Sequence, residues 1–423
     1  MALEIKDTLL LEYVEAAGRT VDISGKDFDG VLDECLALTE CRERALDGLL
    51  QNIRESLGGR RLALYGVQSP VAISVMRLLW ERAKLRVACL CDQHGSSGEF
   101  LGVRVVDPAT LGREYADATV MVCSSTGEGD NATGILASLG FPQDRVFPWE
   151  WVSTILKINP SMLFDPHKPM NPYKSLEKHL PRYHWAYDLF EDDLSKKTVL
   201  AWLRKSLCAT TMDIPSPCEK YFEDGWIALR DGEVFVDGGA YSGDSVLDFV
   251  RHEEQAKVRH AHIYSFEPGK VHYGMTIKNT AGIPDVTVVP KGLWDRETEL
   301  RFLEQNEWGM GSSFAENVLS NQNAQGTIVE SVPVTSLDTF FAGRLDSELP
   351  TLIKMDIEGS EREALMGGAD IIRRVKPRLV ICAYHKPEDL YVLPQTIMRI
   401  RDDYRFCLRQ HAPELHEIIL YGV

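Results

Sequence analysis

Apolar and polar positions along this chain follow two rhythms, and the rhythm changes divide it. Up to about residue 57 the apolar positions, among them Leu32, Leu36, Leu46, Leu49 and Leu50, recur near helical spacing and predict helix. A strand–helix alternation follows. RLALYGV (61–67), LRVACLCD (85–92) and ATVMVCSS (118–125) are short apolar runs of strand type. VAISVMRLLWERA (71–83) is an amphipathic helix between the first two, and NATGILASLG (131–140) is a helix stopped by glycine. This order predicts a small doubly wound parallel sheet over 58–152.

From 153 to 230 the periodicity breaks. KINPSMLFDPHKPMNPY and MDIPSPCEKYF are rich in proline and aromatics around one helical stretch (about 185–208), which reads as a connector packed on its neighbours, part of it a lid on the substrate side. A second alternation opens at 231. EVFVDGG (233–239), HIYSFEP (262–268), VTVVPKGLWD (286–295), TLIKMDIEG (351–359) and PRLVICAYH (377–385) read as strands. YSGDSVLDFVRHEEQ (241–255) and SEREALMGGADII read as helices, and the segment after Tyr404 as an antiparallel hairpin. The expected organisation is a helical segment (1–57), a small Rossmann-like α/β domain (58–152), a connector (153–230) and a larger α/β domain (231–423).

Composition narrows the partners. The 423 residues carry a net charge of −17, which repels a phosphate backbone and anionic lipid, so neither nucleic acid nor membrane is the expected partner. No apolar run approaches the length of a membrane span, and the first residues lack the pattern of a signal peptide. The nine cysteines are scattered without a zinc spacing. Cys89 and Cys91 alternate on one strand and share a face. Buried reduced thiols and a cytoplasmic location are the expectation, with no metal-ligand motif.

Candidate chemistry sits in the larger domain. Asp237-Gly238-Gly239-Ala240-Tyr241-Ser242-Gly243 joins a strand to a helix, where glycine lets backbone approach a ligand. The spacing departs from the dinucleotide fingerprint, and Asp237 at the strand end would repel a pyrophosphate while favouring a cationic cofactor. Glu267, at the end of the next strand, is placed to accept hydrogen bonds from a ribose, a role that does not by itself choose between nicotinamide and S-adenosylmethionine. Asp356 and Glu358 alternate at the carboxyl end of a further strand, where ligands of doubly wound sheets sit. Glu361 complements the helix that follows.

VFVDGGAYSGDS, YSFEP, KGLWD, IKMDIEGSE, YHKPEDLYVLP, YRFCLRQHAP and ILYG, in that order, resemble the FkbM family of methyltransferases over about 190 residues. The resemblance implies a class I methyltransferase (Rossmann-like) fold, S-adenosylmethionine as cofactor, and O-methylation of a sugar, glycan or other natural product. Carried over, Asp237, Gly239 and Gly243 line the methionine end and Glu267 the ribose. Gly238, Tyr241 and Pro268 complete the cofactor-binding set, with Asp356 at its edge. Asp356, Glu358 and His385 face the transfer site. The doubled glycine of DGGAYSG is a mild departure, and the resemblance does not reach the first 230 residues.

Methyl transfer to a hydroxyl needs in-line positioning and a base. His385 is the first candidate, because a free imidazole titrates near neutrality, and Asp356 the second. Convergence of the carboxylates on His385 would instead admit Mg²⁺. Trp294, Trp308 and GMGSSF (309–314) are candidates for an acceptor pocket, core packing being the rival account of the tryptophans. In the small domain YGVQSPVAI keeps only Gly66 of a phosphate loop, with Gln68 and Pro70 where glycines would stand. SSTGEGDN (124–131) offers backbone amides to a nucleotide sugar or reads as a plain turn. The rival readings are a nicotinamide-dependent dehydrogenase or epimerase, which needs a dinucleotide fingerprint, and a non-enzymatic nucleotide-sugar-binding protein. The expected partner is a small-molecule or glycan acceptor, with homo-oligomerisation left open.

Overall fold

The computed structural model describes residues 19–66, 70–92, 98–124, 128–158, 172–208, 212, 214–223, 225–304, 313–314, 328–412 and 417–423. They fall into two compact units: residues 1–24, 29–166 and 206–210, and residues 25–28, 167–205 and 211–423.

The first unit is a six-stranded sheet in the order β3-β4-β2-β1-β5-β6. Its strands are β1 (Leu62–Tyr65), β2 (Val87–Cys91), β3 (Gly98–Phe100), β4 (Val103–Val106), β5 (Thr119–Val122) and β6 (Val146–Phe147). All pairings are parallel except that of β3 with β4 at the edge. Because strand side chains alternate, Leu62 and Leu64 face one apolar layer and Ala63 and Tyr65 the other. Helices α1 (Phe28–Leu57), α2 (Pro70–Glu81) and α5 (Trp149–Ile158) cover the first layer. Helices α3 (Pro108–Glu114) and α4 (Glu128–Ser138) cover the second. Cys89 and Cys91 share the second layer, and burial pushes both thiols up to about 12, so they stay neutral.

The second unit carries a seven-stranded sheet in the order β16-β17-β15-β14-β7-β8-β9. Its members are β7 (Glu233–Gly238), β8 (His260–Phe266), β9 (Val286–Val289), β14 (Leu352–Met355), β15 (Arg378–Cys382), β16 (Phe406–Gln410) and β17 (Ile418–Gly422). Only β17 runs against its neighbours, as the expected terminal hairpin requires. Chain order runs outward from β7 through β8 to β9 and then returns to β14 on the other side. The switch point therefore lies between β7 and β14.

Three features depart from the expectation. VTVVPKGLWD is not one strand: Pro290 has no N–H to give, and the chain leaves β9 for β10 (Gly292–Leu293) of a separate sheet, β10-β13-β11-β12, with β11 (Thr298–Glu304), β12 (Ser313–Phe314) and β13 (Ile328–Thr335). The helix after IKMDIEG is two, α11 (Glu361–Gly367) and α12 (Ala369–Val375), following the four-residue α10 (Leu337–Phe340). At the break, a Cβ on Gly367 would stand 2.1 Å from the Trp294 carbonyl. The described residues of the connector from 172 to 205 and from 212 to 230 belong to the second unit, so it begins well before 231. Helices α6 (Pro172–Leu189) and α7 (Asp193–Cys208) precede β7; α8 (Asp244–Ala256), α9 (Lys270–Thr280) and α13 (Asp389–Ile400) follow their strands. Tyr183 of α6 stacks on Trp202 of α7 at 4.9 Å and meets Tyr391 of α13 edge-on at 5.0 Å.

Candidate active site

Strand β7 ends in the glycine loop. Gly239 has φ of 75°, and a Cβ there would lie 1.9 Å from the Asp356 carbonyl oxygen, so only glycine lets the loop and the end of β14 meet. Asp237, at the end of β7, is held by protein partners. It is fully buried, its carboxylate 2.9 Å from the Lys354 ammonium, and it accepts hydrogen bonds from Ser245 (2.9 Å) and Ser265 (3.1 Å). Lys354 also donates to the carbonyls of Gly238 (3.2 Å) and Gly239 (2.8 Å). The Asp237 carboxylate is thus paired with Lys354 and braces the loop from within.

Glu267 stands where the sequence placed it, one residue past β8. Its carboxylate accepts from Tyr241 N (2.9 Å) and Gly269 N (2.8 Å), an acceptor held at the strand end by the loops on either side. Burial raises its pKa to about 7 against those two hydrogen bonds. Pro268 and Gly269 lead into α9, and Gly243 (φ 83°) is the residue before α8.

Past β14, Asp356, Glu358, Glu361 and His385 converge. His385 Nδ1 is 2.9 Å from Glu361, and its Nε2 is 3.4 Å from Asp356 and 3.7 Å from Glu358. Burial alone would lower this imidazole, but Glu361, Asp356 and Glu358 outweigh it and raise its pKa to about 10. The three carboxylates thus favour the imidazolium form of His385 in this arrangement. Asp356 accepts hydroxyl hydrogen bonds from Tyr221 (2.8 Å) and Tyr384 (2.9 Å). Despite burial, the charges of Lys354, His385 and Lys220 hold its pKa well below the usual carboxylate range. Glu358, at φ 55°, keeps over a third of its side chain exposed, and partial burial raises its pKa.

Two residues at this site were not legible in the sequence. Lys220 lies 3.8 Å from Asp356 and 3.0 Å from Glu417, and Tyr221 (φ 72°) reaches Asp356 from the same pre-strand arm. With Tyr241 (φ 48°) and Glu358, Tyr221 is one of three non-glycine residues in left-handed backbone around this point, a concentration of strain typical of functional sites. Trp294 is partly buried and packs with Leu300 against Val332 and Val334 of the four-stranded sheet. Trp308 and residues 309–312 lie outside the described residues, as do Gln68 and residues 125–127 of the SSTGEGDN loop. Among the described residues, no group of three or more His, Cys, Asp and Glu side chains is arranged to hold a metal ion. Nor is any described helix long and apolar enough to cross a membrane.

Comparison with known proteins bears on the fold. Residues 237–407 match the family model described as the Methyltransferase FkbM domain. The crystal structure of methyltransferase FkbM from Methylobacillus flagellatus is similar at 20% identity and a TM-score of 0.59, over 93% of this chain and 99% of its own. Aeropyrum pernix fibrillarin, solved with S-adenosyl-L-methionine, aligns at 11% identity over 47% of this chain and 70% of its own, with a TM-score of only 0.29. No curated protein matches the chain. The parallel sheet of the second unit and its switch point agree with the match of residues 237–407 to the FkbM methyltransferase domain.

Proposed function

We propose that this protein is an S-adenosylmethionine-dependent methyltransferase that methylates a hydroxyl oxygen of a small polar acceptor, a sugar, glycan or other natural product. One observation carries the reading: Asp356, Glu358 and His385 gather past β14, beside the switch point where Glu267 offers a buried carboxylate past β8. The donor set suits the cofactor, since Glu267 is an acceptor for ribose hydroxyls and the loop from Gly238 to Gly243 needs no phosphate. When bound, the cofactor supplies a methyl group already activated by a sulfonium.

The chain's own residues divide the remaining work. Asp356, its oxygens taken up by two tyrosine hydroxyls, stays ionised and orients its neighbours. Glu358 is the base: its raised pKa makes it the better proton acceptor, and its side chain is the more exposed of the two. Glu358 would take the hydroxyl proton as the acceptor oxygen receives the methyl group and the methyl–sulfur bond breaks to leave a neutral thioether. The His385 imidazolium, 3.7 Å from Glu358, would balance the charge at that carboxylate. Buried neutral thiols support a reducing compartment, and the location proposed is the cytoplasm.

The test is calorimetric titration of S-adenosylmethionine with NAD⁺ in parallel, followed by transfer of labelled methyl to a panel of sugars and polyketide alcohols. Glu267→Gln should weaken cofactor binding. Glu358→Gln should bind it normally and lose roughly 10²–10⁴-fold in transfer rate. Binding of NAD⁺ in place of S-adenosylmethionine would sink the reading.

A further inference from the structure

The strand registers match the two units residue for residue at the carboxyl edge of their sheets. Tyr65 pairs with Cys91 and Val122, and Cys91 with Val106. In the second unit Gly238 pairs with Phe266 and Met355, and Phe266 with Val289. The hydrogen bonds just past these pairs repeat as well. Gly66 N donates to Cys91 O at 2.9 Å, as Gly239 N does to Phe266 O at 3.0 Å. Asp92 N donates to Val106 O at 2.9 Å, as Glu267 N does to Val289 O at 3.1 Å. Cys123 N donates to Tyr65 O at 2.7 Å, as Asp356 N does to Gly238 O at 3.0 Å. Gly66 and Gly239 are both left-handed, at φ 103° and 75°. Asp92 thus holds the place of Glu267, and is as deeply buried.

We propose that the first unit holds a second ligand site, for a ribonucleotide, at its own switch point between β1 and β5, with Asp92 accepting the ribose hydroxyls. An acid just past the second strand of such a unit is where a ribose is read. A separate observation points to a ligand. Among the described residues, the hydroxyls of Tyr65 and Ser124 are buried without a hydrogen-bond partner, a condition that a protein interior rarely leaves unmet. Ser124 abuts the glycine turn: a Cβ on Gly66 would lie 3.0 Å from its backbone nitrogen. At the place of Asp356 the first unit has Cys123, whose thiol burial pushes up to about 12, so this site has no group there to take a proton. It binds without catalysing transfer.

The experiment is calorimetric titration of the full chain with AMP, GMP, CMP and UMP and with their 2′,3′-dideoxy forms. It is repeated on Asp92→Asn, Ser124→Ala and Glu267→Gln. At least one monophosphate should bind one-to-one, about tenfold or more weaker as the dideoxy form or in Asp92→Asn, and unchanged in Glu267→Gln. Binding that survives Asp92→Asn and the dideoxy change, binding lost only in Glu267→Gln, or no binding of any of the four at millimolar concentration would each overturn the proposal. The dideoxy comparison uses the unaltered protein, so it stands even if Asp92→Asn fails to fold. The Glu267→Gln arm separates this result from the fate of the methyltransferase reading.

Discussion

Directly before the glycine turn, the two units differ in the residues that the shared register makes equivalent. In the first unit Leu64 of β1 pairs with Met121 of β5, and both belong to its apolar core. In the second, Asp237 of β7 pairs with Lys354 of β14, an ion pair with almost no solvent exposure. The same backbone edge is thus built once with packing and once with charge. A buried ion pair is seldom more stabilising than well-packed apolar residues, so stability does not explain the choice. What the pair adds is position. Lys354 ties the carbonyls of Gly238 and Gly239 and helps keep Asp356 ionised, which an apolar side chain has no means of doing.

Copying one unit into the other breaks the comparison most sharply. Lys354→Met, which imports the residue of the first unit, leaves Asp237 buried and uncompensated and should cost ~3–5 kcal/mol of stability. The double change Asp237→Leu with Lys354→Met should restore stability to within ~2 kcal/mol while methyl transfer stays lost. Guanidinium unfolding, with hydrogen exchange to assign the loss to the second unit, checks both. A double variant as unstable as the single one would show that the pair is needed for folding itself.

Next in size is the pair of glycines. Gly239→Ala drives a Cβ to 1.9 Å from a backbone carbonyl, whereas Gly66→Ala meets its nearest atom at 3.0 Å. Both incur left-handed strain of ~1–3 kcal/mol, but only the first must also move the end of β14. Unfolding should show the larger loss for Gly239→Ala, with transfer abolished in that variant alone.

A smaller effect follows from Glu267. Its pKa is raised to about 7, and the ionised form is the better acceptor for ribose hydroxyls. Cofactor affinity should therefore rise about tenfold between pH 6 and 8, and Glu267→Gln should flatten the profile, both read by calorimetry. The smallest change is Tyr221→Phe, which removes one of two hydroxyls on Asp356. It should lower the transfer rate severalfold, ~1 kcal/mol, and leave cofactor affinity alone. A rate equal to that of the unaltered protein would remove Tyr221 from the site.

Much of this was readable beforehand because it is local. The strand–helix alternation, the glycine turn after β7 and the acids past β8 and β14 are each written in a few consecutive residues. The protonation of His385 was not, since it depends on Glu361, Asp356 and Glu358 arriving from another strand. Nor was the part of Lys220 and Tyr221, which sit in a proline-rich stretch with no periodicity to announce a fixed backbone. The ion pair of Asp237 with Lys354 was not legible either, because the two meet only through the register of β7 with β14. The four-stranded sheet was missed because Pro290 divides a run that reads as one strand.

That register also has a consequence for how the chain emerges from the ribosome. In the first unit the residues bridged across β1 and β5 are separated by about 60 positions, as with Arg60 and Thr119, which are 59 apart. In the second unit Lys354 and Gly238 are 116 apart, and β15 is flanked only once β17 has been made. Synthesis therefore completes the first sheet early, while β7 waits with one side open until β14 appears. Long-range closures of this kind are slow and leave apolar edges uncovered meanwhile. Nascent chains of the second unit stopped short of residue 352 should be the ones that recruit chaperones.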